Sequence, residues 1–119
     1  MNHSLPPLAD QECQACQEDS PGVSLQEWQS YQGQLPNWQW VELTEPKAQA
    51  ISRRYHFANF RQAYGFVSQV ALLAESQGHH PDISFGWGYV QLHWWTHKIN
   101  WVHQSDLVLA ARCDQIYQQ

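Results

Sequence analysis

The spacing of hydrophobic and polar positions predicts regular structure from Ser24 onward. Ser24 and Glu27 have the spacing of a capping box, and Val23 can pack on Trp28 across the first helical turn. We therefore expect a helix of about ten residues, which ends before Pro36 because proline cannot continue it.

Runs rich in β-forming residues predict two hairpins. The first pair of runs covers 38–44 and 48–57, with Pro46 in the turn between them. The second pair flanks Gly86-Trp87-Gly88 and ends with the run 89–97. Alternate residues of a strand face opposite sides, so Val90, Leu92, Trp94 and Thr96 should face the core, with Gln91, His93, Trp95 and His97 opposite.

The clearest helical period lies between the two hairpins. Apolar residues recur there at spacings of three and four, and Gly78 suits a left-handed C-terminal cap. A final helix is expected from about His103 to Tyr117. The element order is therefore α-β-β-α-β-β-α, that of an α+β fold. The expected core stripe of the middle helix consists of Phe60, Ala63, Tyr64, Val67, Val70, Ala71 and Ala74, and that of the last helix of Leu107, Ala110, Ala111 and Tyr117.

The first part of the chain differs in composition from the rest. Residues 1–22 are polar and contain three prolines, which indicates a flexible leader followed by one domain over 23–119. A chain of 119 residues with 43% hydrophobic content is the size of a single domain. A folded domain of this size still exposes roughly a third of the surface that its unfolded chain exposes. Because association would bury more of that surface, a homo-oligomer is a reasonable expectation.

Charge and cysteine content exclude several classes of function. Eleven acidic and six basic residues give a net charge of −5, which disfavours nucleic-acid binding. No apolar run approaches the roughly 20 residues of a membrane helix, so we expect a cytoplasmic protein without a membrane segment. Cys13, Cys16 and Cys113 are odd in number and expected to be reduced, and the C-x-x-C pair lacks a redox or zinc context.

Histidines are the strongest indication of chemistry in this sequence. Four of the seven, His79, His80, His93 and His97, fall within nineteen residues, and imidazoles exchange protons near neutral pH. A solvated turn with surface histidines is the plain alternative. Metal binding is disfavoured, because His93 and His97 would stand about 13 Å apart on a strand.

The residues around these histidines resemble the signature of the pterin-4a-carbinolamine dehydratase family. The resemblance lies in Glu75-Ser76-Gln77-Gly78-His79-His80-Pro81-Asp82, followed by Trp95-Thr96-His97 and then Asp106. It extends upstream to 55–60 and 63–66 and covers about 23–118. The family fold is a four-stranded antiparallel sheet with three helices packed on one face, which agrees with the predicted order.

The resemblance also implies an activity and its residues. It implies a hydro-lyase that dehydrates 4a-hydroxytetrahydropterin to quinonoid dihydropterin in tetrahydrobiopterin recycling, by histidine general acid/base catalysis. His79, His80 and His97 match the catalytic histidines, Glu75 and Asp106 the supporting carboxylates, and His80 and Trp40 are candidates for substrate binding. The family uses no metal and no cofactor besides its pterin substrate. It forms homodimers or homotetramers and serves aromatic amino-acid hydroxylases.

Two of these residues have alternative roles, and the sequence departs from the family at two places. Asp106 could orient a histidine or interact with the helix dipole, and His93 fits a solvent-facing sheet position. The sequence departs from the family at Ile83-Ser84, where an aromatic pair is common, and at His103, where relatives have a better N-cap. The alternative functions are a dimerisation or transcriptional cofactor-type binding module and an inactive paralogue.

Overall fold

The structure of this protein is a computed structural model that describes residues 5–13 and 21–119. Its four strands form one antiparallel sheet in the order β1-β2-β4-β3, and the predicted α+β fold is confirmed. The regular elements are α1 (Leu25–Tyr31), β1 (Gln39–Thr44), β2 (Lys47–His56), α2 (Phe60–Gln77), β3 (Asp82–Gly86), β4 (Tyr89–Trp94) and α3 (Gln104–Tyr117), with 3-10 turns at Leu8–Asp10 and Gln32–Gln34.

The helix boundaries follow local side-chain chemistry. The Ser24 hydroxyl accepts a hydrogen bond from the backbone N–H of Glu27, whose carboxylate accepts one from the N–H of Ser24. This capping box starts α1 as predicted. Helix α2 ends at Gly78, whose φ of 69° is accessible to glycine without strain.

The core lies between the sheet and the helices α2 and α3. The predicted inward face of β4 is confirmed, because Val90, Leu92 and Trp94 are fully buried. Helix α3 is buried on almost every side, since the sheet covers one face and the N-terminal residues another. The remaining fully buried core residues of the sheet and α3 include Ile51, Tyr55, Leu107, Val108, Leu109 and Ala110.

The apolar stripe predicted for α2 is partly wrong. Phe66 is buried, whereas Phe60 and Tyr64 are 51% and 57% exposed. Both of these rings lie beside Phe85 of the edge strand β3, with ring centroids 5.4 and 6.5 Å away. Two stripes that differ by a small rotation share Ala63, Val70 and Ala74, and packing on the sheet selects the one that contains Phe66.

Part of the stretch interpreted as a leader packs against α3. Leu8 is fully buried, and its backbone N–H donates to the Gln34 side chain at 2.7 Å. The Arg112 guanidinium donates to the carbonyls of Ala9 and Gln11. Leu8 is therefore a core residue that the sequence pattern did not predict. Residues 14–20, including Cys16, lie outside the described residues.

A buried carboxylate joins α3 to the sheet. Asp114 accepts hydrogen bonds from the Trp38 indole, the Arg53 guanidinium and the Tyr55 hydroxyl. Burial raises the pKa of Tyr55 above its ordinary value, and the negative charge of Asp114 raises it further. The four side chains fix α3 against β2 by polar contacts as well as by apolar packing.

No helix in the described ranges is both long enough and apolar enough to cross a membrane.

Candidate active site

A cavity of about 440 Å³ lies between the end of α2 and the loop that follows β4. The residues that line it come from two separate segments, Gln77, Gly78, His79 and His80 from the first and Trp95, Thr96, His97 and Lys98 from the second. The structure thus brings together the three histidines that the family resemblance singled out.

The left-handed cap of α2 places His79 and His80. The backbone N–H of His79 donates to the Ala74 carbonyl at 3.3 Å, so the chain turns back against the helix end. His79 is consequently buried with 9% of its surface exposed, whereas His80 is exposed. The two neighbours therefore present one enclosed and one solvated imidazole to the same cavity.

The loop after β4 places His97, which is a correction to the strand predicted over 89–97. Strand β4 ends at Trp94, its last residue paired with β2. Beyond that point the backbone N–H of Gln49 bonds to the Asn100 carbonyl, and Thr96 pairs with Trp101. The chain closes on itself as a loop, so the strand spacing expected between His93 and His97 does not apply.

His97 is held by an aromatic neighbour. Its ring lies almost parallel to the Trp95 indole, with centroids 4.6 Å apart and an interplanar angle of 11°. Trp95 itself is buried against Ala48 and Ala50 on the outer face of the sheet. An exposed histidine thus rests on a side chain that the sheet fixes in place.

Glu75, which the resemblance assigns as a supporting carboxylate, lies beside His80. Its Oε1 is 2.8 Å from Nε2 of His80. Both side chains are largely exposed, at 80% and 60% respectively. Solvent screens such a pair, so its contribution is to orientation rather than to stability.

Asp106 is fully buried and is hydrogen-bonded to Thr96 of the loop after β4. Its Oδ2 accepts hydrogen bonds from the Thr96 hydroxyl at 2.8 Å and from the His103 backbone N–H at 2.9 Å. Its Oδ1 has no hydrogen-bond partner among the described residues. Burial raises the pKa of this carboxyl to about 7, although both hydrogen bonds act in the opposite direction.

His103 is a site neighbour that the sequence analysis missed. It is the N-cap of α3 despite being a poor N-cap type, because its Nδ1 accepts from the Ser105 N–H and Asp106 completes a capping box. Its ring lies 6.2 Å from that of His79, at an interplanar angle of 18°. The feature of the sequence that could have pointed to His103 is its position immediately before α3.

Two other candidates lie away from the cavity. Trp40 is not among the described residues that line it; its ring packs between Trp28 and Trp101, at centroid distances of 5.9 and 5.7 Å. His93 pairs with Ser52 and Asp82 on the outer face of the sheet and is partly buried. Burial lowers the pKa of His93, while the Asp82 charge acts to raise it.

Within residues 5–13 and 21–119, no three His, Cys, Asp or Glu side chains are grouped so that they could hold a metal ion.

Comparison with known proteins identifies a family to which this chain is similar. The family model of pterin 4 alpha carbinolamine dehydratase matches residues 21–116. A protein of Syntrophotalea carbinolica, whose name assigns it provisionally to the pterin-4-alpha-carbinolamine dehydratases, is 41% identical over 92% of this chain and 96% of its own.

Two solved structures are also similar. The transcriptional coactivator/pterin dehydratase of Brucella melitensis superposes with a TM-score of 0.73 at 30% identity, over 82% of this chain and 99% of its own. A pterin dehydratase-like protein described as a RuBisCO assembly factor in the alpha-carboxysome gives 0.51 at 28% identity, over 66% and 91%. With a family model that spans most of its length and a site built from the matching residues, this chain belongs to the pterin-4-alpha-carbinolamine dehydratase family.

Proposed function

We propose that this protein is a hydro-lyase that removes water from a 4a-hydroxytetrahydropterin. One observation carries the proposal: three imidazoles from two distant parts of the chain line a single cavity. A cavity of about 440 Å³ is within the usual range for a small-molecule site.

The reaction needs two proton transfers on a flat ring. A base takes the proton from N5, and the electron pair of that N–H bond forms the N5=C4a double bond. The C4a–O bond breaks as an acid protonates the departing hydroxyl, which leaves as water. Imidazole titrates close to neutral pH, so it suits both roles.

The environments of the three histidines suggest their roles. His79 is enclosed and His97 rests on Trp95, so each has a restricted ring orientation, which proton transfer requires. We assign the acid and base roles to this pair. His80 is exposed and hydrogen-bonded to Glu75, and we assign it mainly to substrate binding.

Asp106 supports the loop that carries His97. Its bond to the Thr96 hydroxyl fixes the residue directly before His97 in the loop. Because Asp106 also caps α3, the position of that loop depends on the start of the helix. We therefore assign Asp106 a positioning role.

The proposal is tested by stopped-flow measurement of the loss of 4a-hydroxypterin absorbance. The wild-type protein should accelerate this loss over buffer. Because positioned general acids and bases contribute roughly 10²- to 10⁴-fold each, His79→Ala and His97→Ala should lower kcat by about that range. His80→Ala should raise KM more than it lowers kcat.

His56→Ala is the matched control, since His56 is exposed, lies outside the residues that line the cavity, and accepts the bond from Tyr117 through its backbone carbonyl rather than its side chain. It should retain wild-type kcat and KM. Wild-type protein that is no faster than buffer would refute the dehydratase, and an unchanged rate for His97→Ala would remove that residue from the mechanism.

A non-enzymatic binding role is the second candidate, favoured by the descriptions of the two similar structures as a coactivator/dehydratase and as an assembly factor. The two functions separate by the same assay. A binding module without activity or an inactive paralogue would leave the absorbance decay at the buffer rate, whereas the enzyme would accelerate it.

The wider setting follows as part of the proposal. We assign the enzyme to tetrahydrobiopterin recycling beside an aromatic amino-acid hydroxylase in the cytoplasm, with pterin as substrate and no added cofactor.

We further propose a homodimer or homotetramer, supported by exposed large apolar side chains such as Phe60, Tyr64, Leu72 and Trp87. Light scattering coupled to gel filtration measures the assembly directly, and a monomer would contradict it.

A further inference from the structure

His103 contacts the candidate site without lining its cavity. Its ring and that of His79 are nearly parallel, with centroids 6.2 Å apart, which is within the range of offset aromatic contacts. Only 6% of the surface of His103 is exposed, so the contact lies in the interior. A second imidazole therefore lies beside the enclosed histidine of the site.

The ring of His103 is fixed from its own side. Its Nδ1 accepts a hydrogen bond from the backbone N–H of Ser105 at 3.1 Å. An accepting nitrogen carries no proton, so the neutral ring holds its proton on Nε2. The backbone N–H of His103 is bonded to Asp106, which anchors the residue a second time.

The electrostatic surroundings keep this ring neutral. Burial lowers the pKa of His103 below that of an ordinary histidine, and the positive charge that His79 can carry lowers it further. The titratable groups around it come from three elements: His79 from the turn after α2, Asp106 from α3, and Cys13 of the N-terminal segment, which interacts with Asp106. Near neutral pH His103 is thus an uncharged ring.

A fixed neutral ring has a definite effect on the histidine beside it. Proton transfer requires that one nitrogen of His79 stays aimed into the cavity, and a fixed ring packed beside it restricts rotation about the last side-chain bond. Two adjacent imidazoles also repel each other when both are protonated, so a proton held by His79 disfavours one on His103.

We propose that His103 is a positioning residue for His79, which it holds by ring contact while its own ring is anchored to the first turn of α3. The inference rests on the proposed dehydratase function, because His103 supports a histidine whose own role is proton transfer in that reaction. It makes the N-cap of α3 part of the site.

Two substitutions separate ring contact from helix capping. His103→Asn keeps a good N-cap oxygen and removes the ring. His103→Phe keeps a ring beside His79 and removes the cap acceptor. We expect His103→Asn to unfold at nearly the wild-type urea concentration with kcat about tenfold lower and KM within about twofold. His103→Phe should unfold at lower urea but keep kcat within about threefold of wild type.

The pH profile supplies a second readout. In the wild type, protonation of His103 removes its cap acceptor and places a second positive charge beside His79. The acid limb of kcat/KM should therefore be steeper in the wild type than in either variant, each of which lacks this titrating ring. If His103 were purely structural, its substitution would lower kcat/KM by the same factor at every pH and leave the shape of the profile unchanged.

Wild-type kcat in His103→Asn, or equal loss in both variants, would overturn the inference. If His103→Asn does not fold, His103→Phe decides alone: kcat near that of the wild type supports ring contact, and a tenfold loss refutes it. Failure of the dehydratase function is distinct, because the wild type itself would then not accelerate the reaction.

Discussion

The imidazole of His97 lies on the indole of Trp95, with ring centroids 4.6 Å apart and planes within 11° of parallel. Trp95 is 3% exposed and packs against Ala48 and Ala50, so the sheet holds the surface on which the histidine rests. The contact orients a loop residue through a neighbour two positions before it. It explains how an exposed histidine can have a defined orientation.

Replacing this surface should impair catalysis. Aromatic contacts contribute roughly 0.5–1.5 kcal/mol beyond buried area, so Trp95→Leu should lower kcat about two- to tenfold through a less ordered His97. Trp95→Phe retains an aromatic face and should lose less. Stopped-flow rates measured on protein shown to be folded by circular dichroism test this. Equal rates for Trp95→Leu and wild type would contradict the role of the stacked ring.

Asp106 should make stability depend on pH in an unusual direction. Its folded pKa of about 7 lies above the ordinary 3.8, so between these values the unfolded chain has lost a proton that the folded chain keeps. The free energy of unfolding should therefore fall as pH rises through this window, at up to about 1.4 kcal/mol per pH unit.

Asp106→Asn tests this dependence. The amide oxygen can accept both bonds now made to Oδ2, and the amide nitrogen does not ionise. Urea unfolding gives the free energy of unfolding of both proteins at pH 5 and pH 8. Relative to the wild type, the variant should be more stable at pH 8 than at pH 5 by a few kcal/mol. Parallel pH profiles for the two proteins would show that Asp106 is ionised throughout.

Asp114 should be far more important for stability than for catalysis. Asp114→Ala leaves the Arg53 guanidinium, which is mostly buried, without its carboxylate partner, together with the Trp38 N–H and the Tyr55 hydroxyl. Breaking a buried ion pair costs about 3–5 kcal/mol, so a large drop in the urea midpoint is expected. Asp114→Asn keeps an acceptor and should cost less. Unfolding curves of the two variants that coincide with the wild type would contradict the network.

Leu8 tests whether the N-terminal segment is part of the domain. Truncation of a fully buried leucine costs about 2–5 kcal/mol, so Leu8→Ala should lower the free energy of unfolding by that amount. Leu5→Ala is a matched control in the same segment, since Leu5 is only partly buried. Equal, small effects of the two substitutions would mean that this segment is dispensable for stability.

Local patterns were sufficient for most elements of the fold. The capping box at Ser24, the cap at Gly78 and the alternation of Val90, Leu92 and Trp94 each depend on residues within a few positions of one another. Such signals are visible in a sequence because the interactions they predict are themselves local. The resemblance of Glu75, His79, His80, His97 and Asp106 to a family signature also singled out the three histidines that line the cavity.

Tertiary packing decided what those patterns left open. The choice of Phe66 over Phe60 for the core, the end of β4 at Trp94, and the burial of Leu8 depend on partners far along the chain. Sequence by itself determined the helices, the strands and the identity of three histidines. Only the folded chain placed Trp95 under His97 and His103 beside His79, because contacts between distant segments depend on how whole elements pack rather than on the period within any one of them.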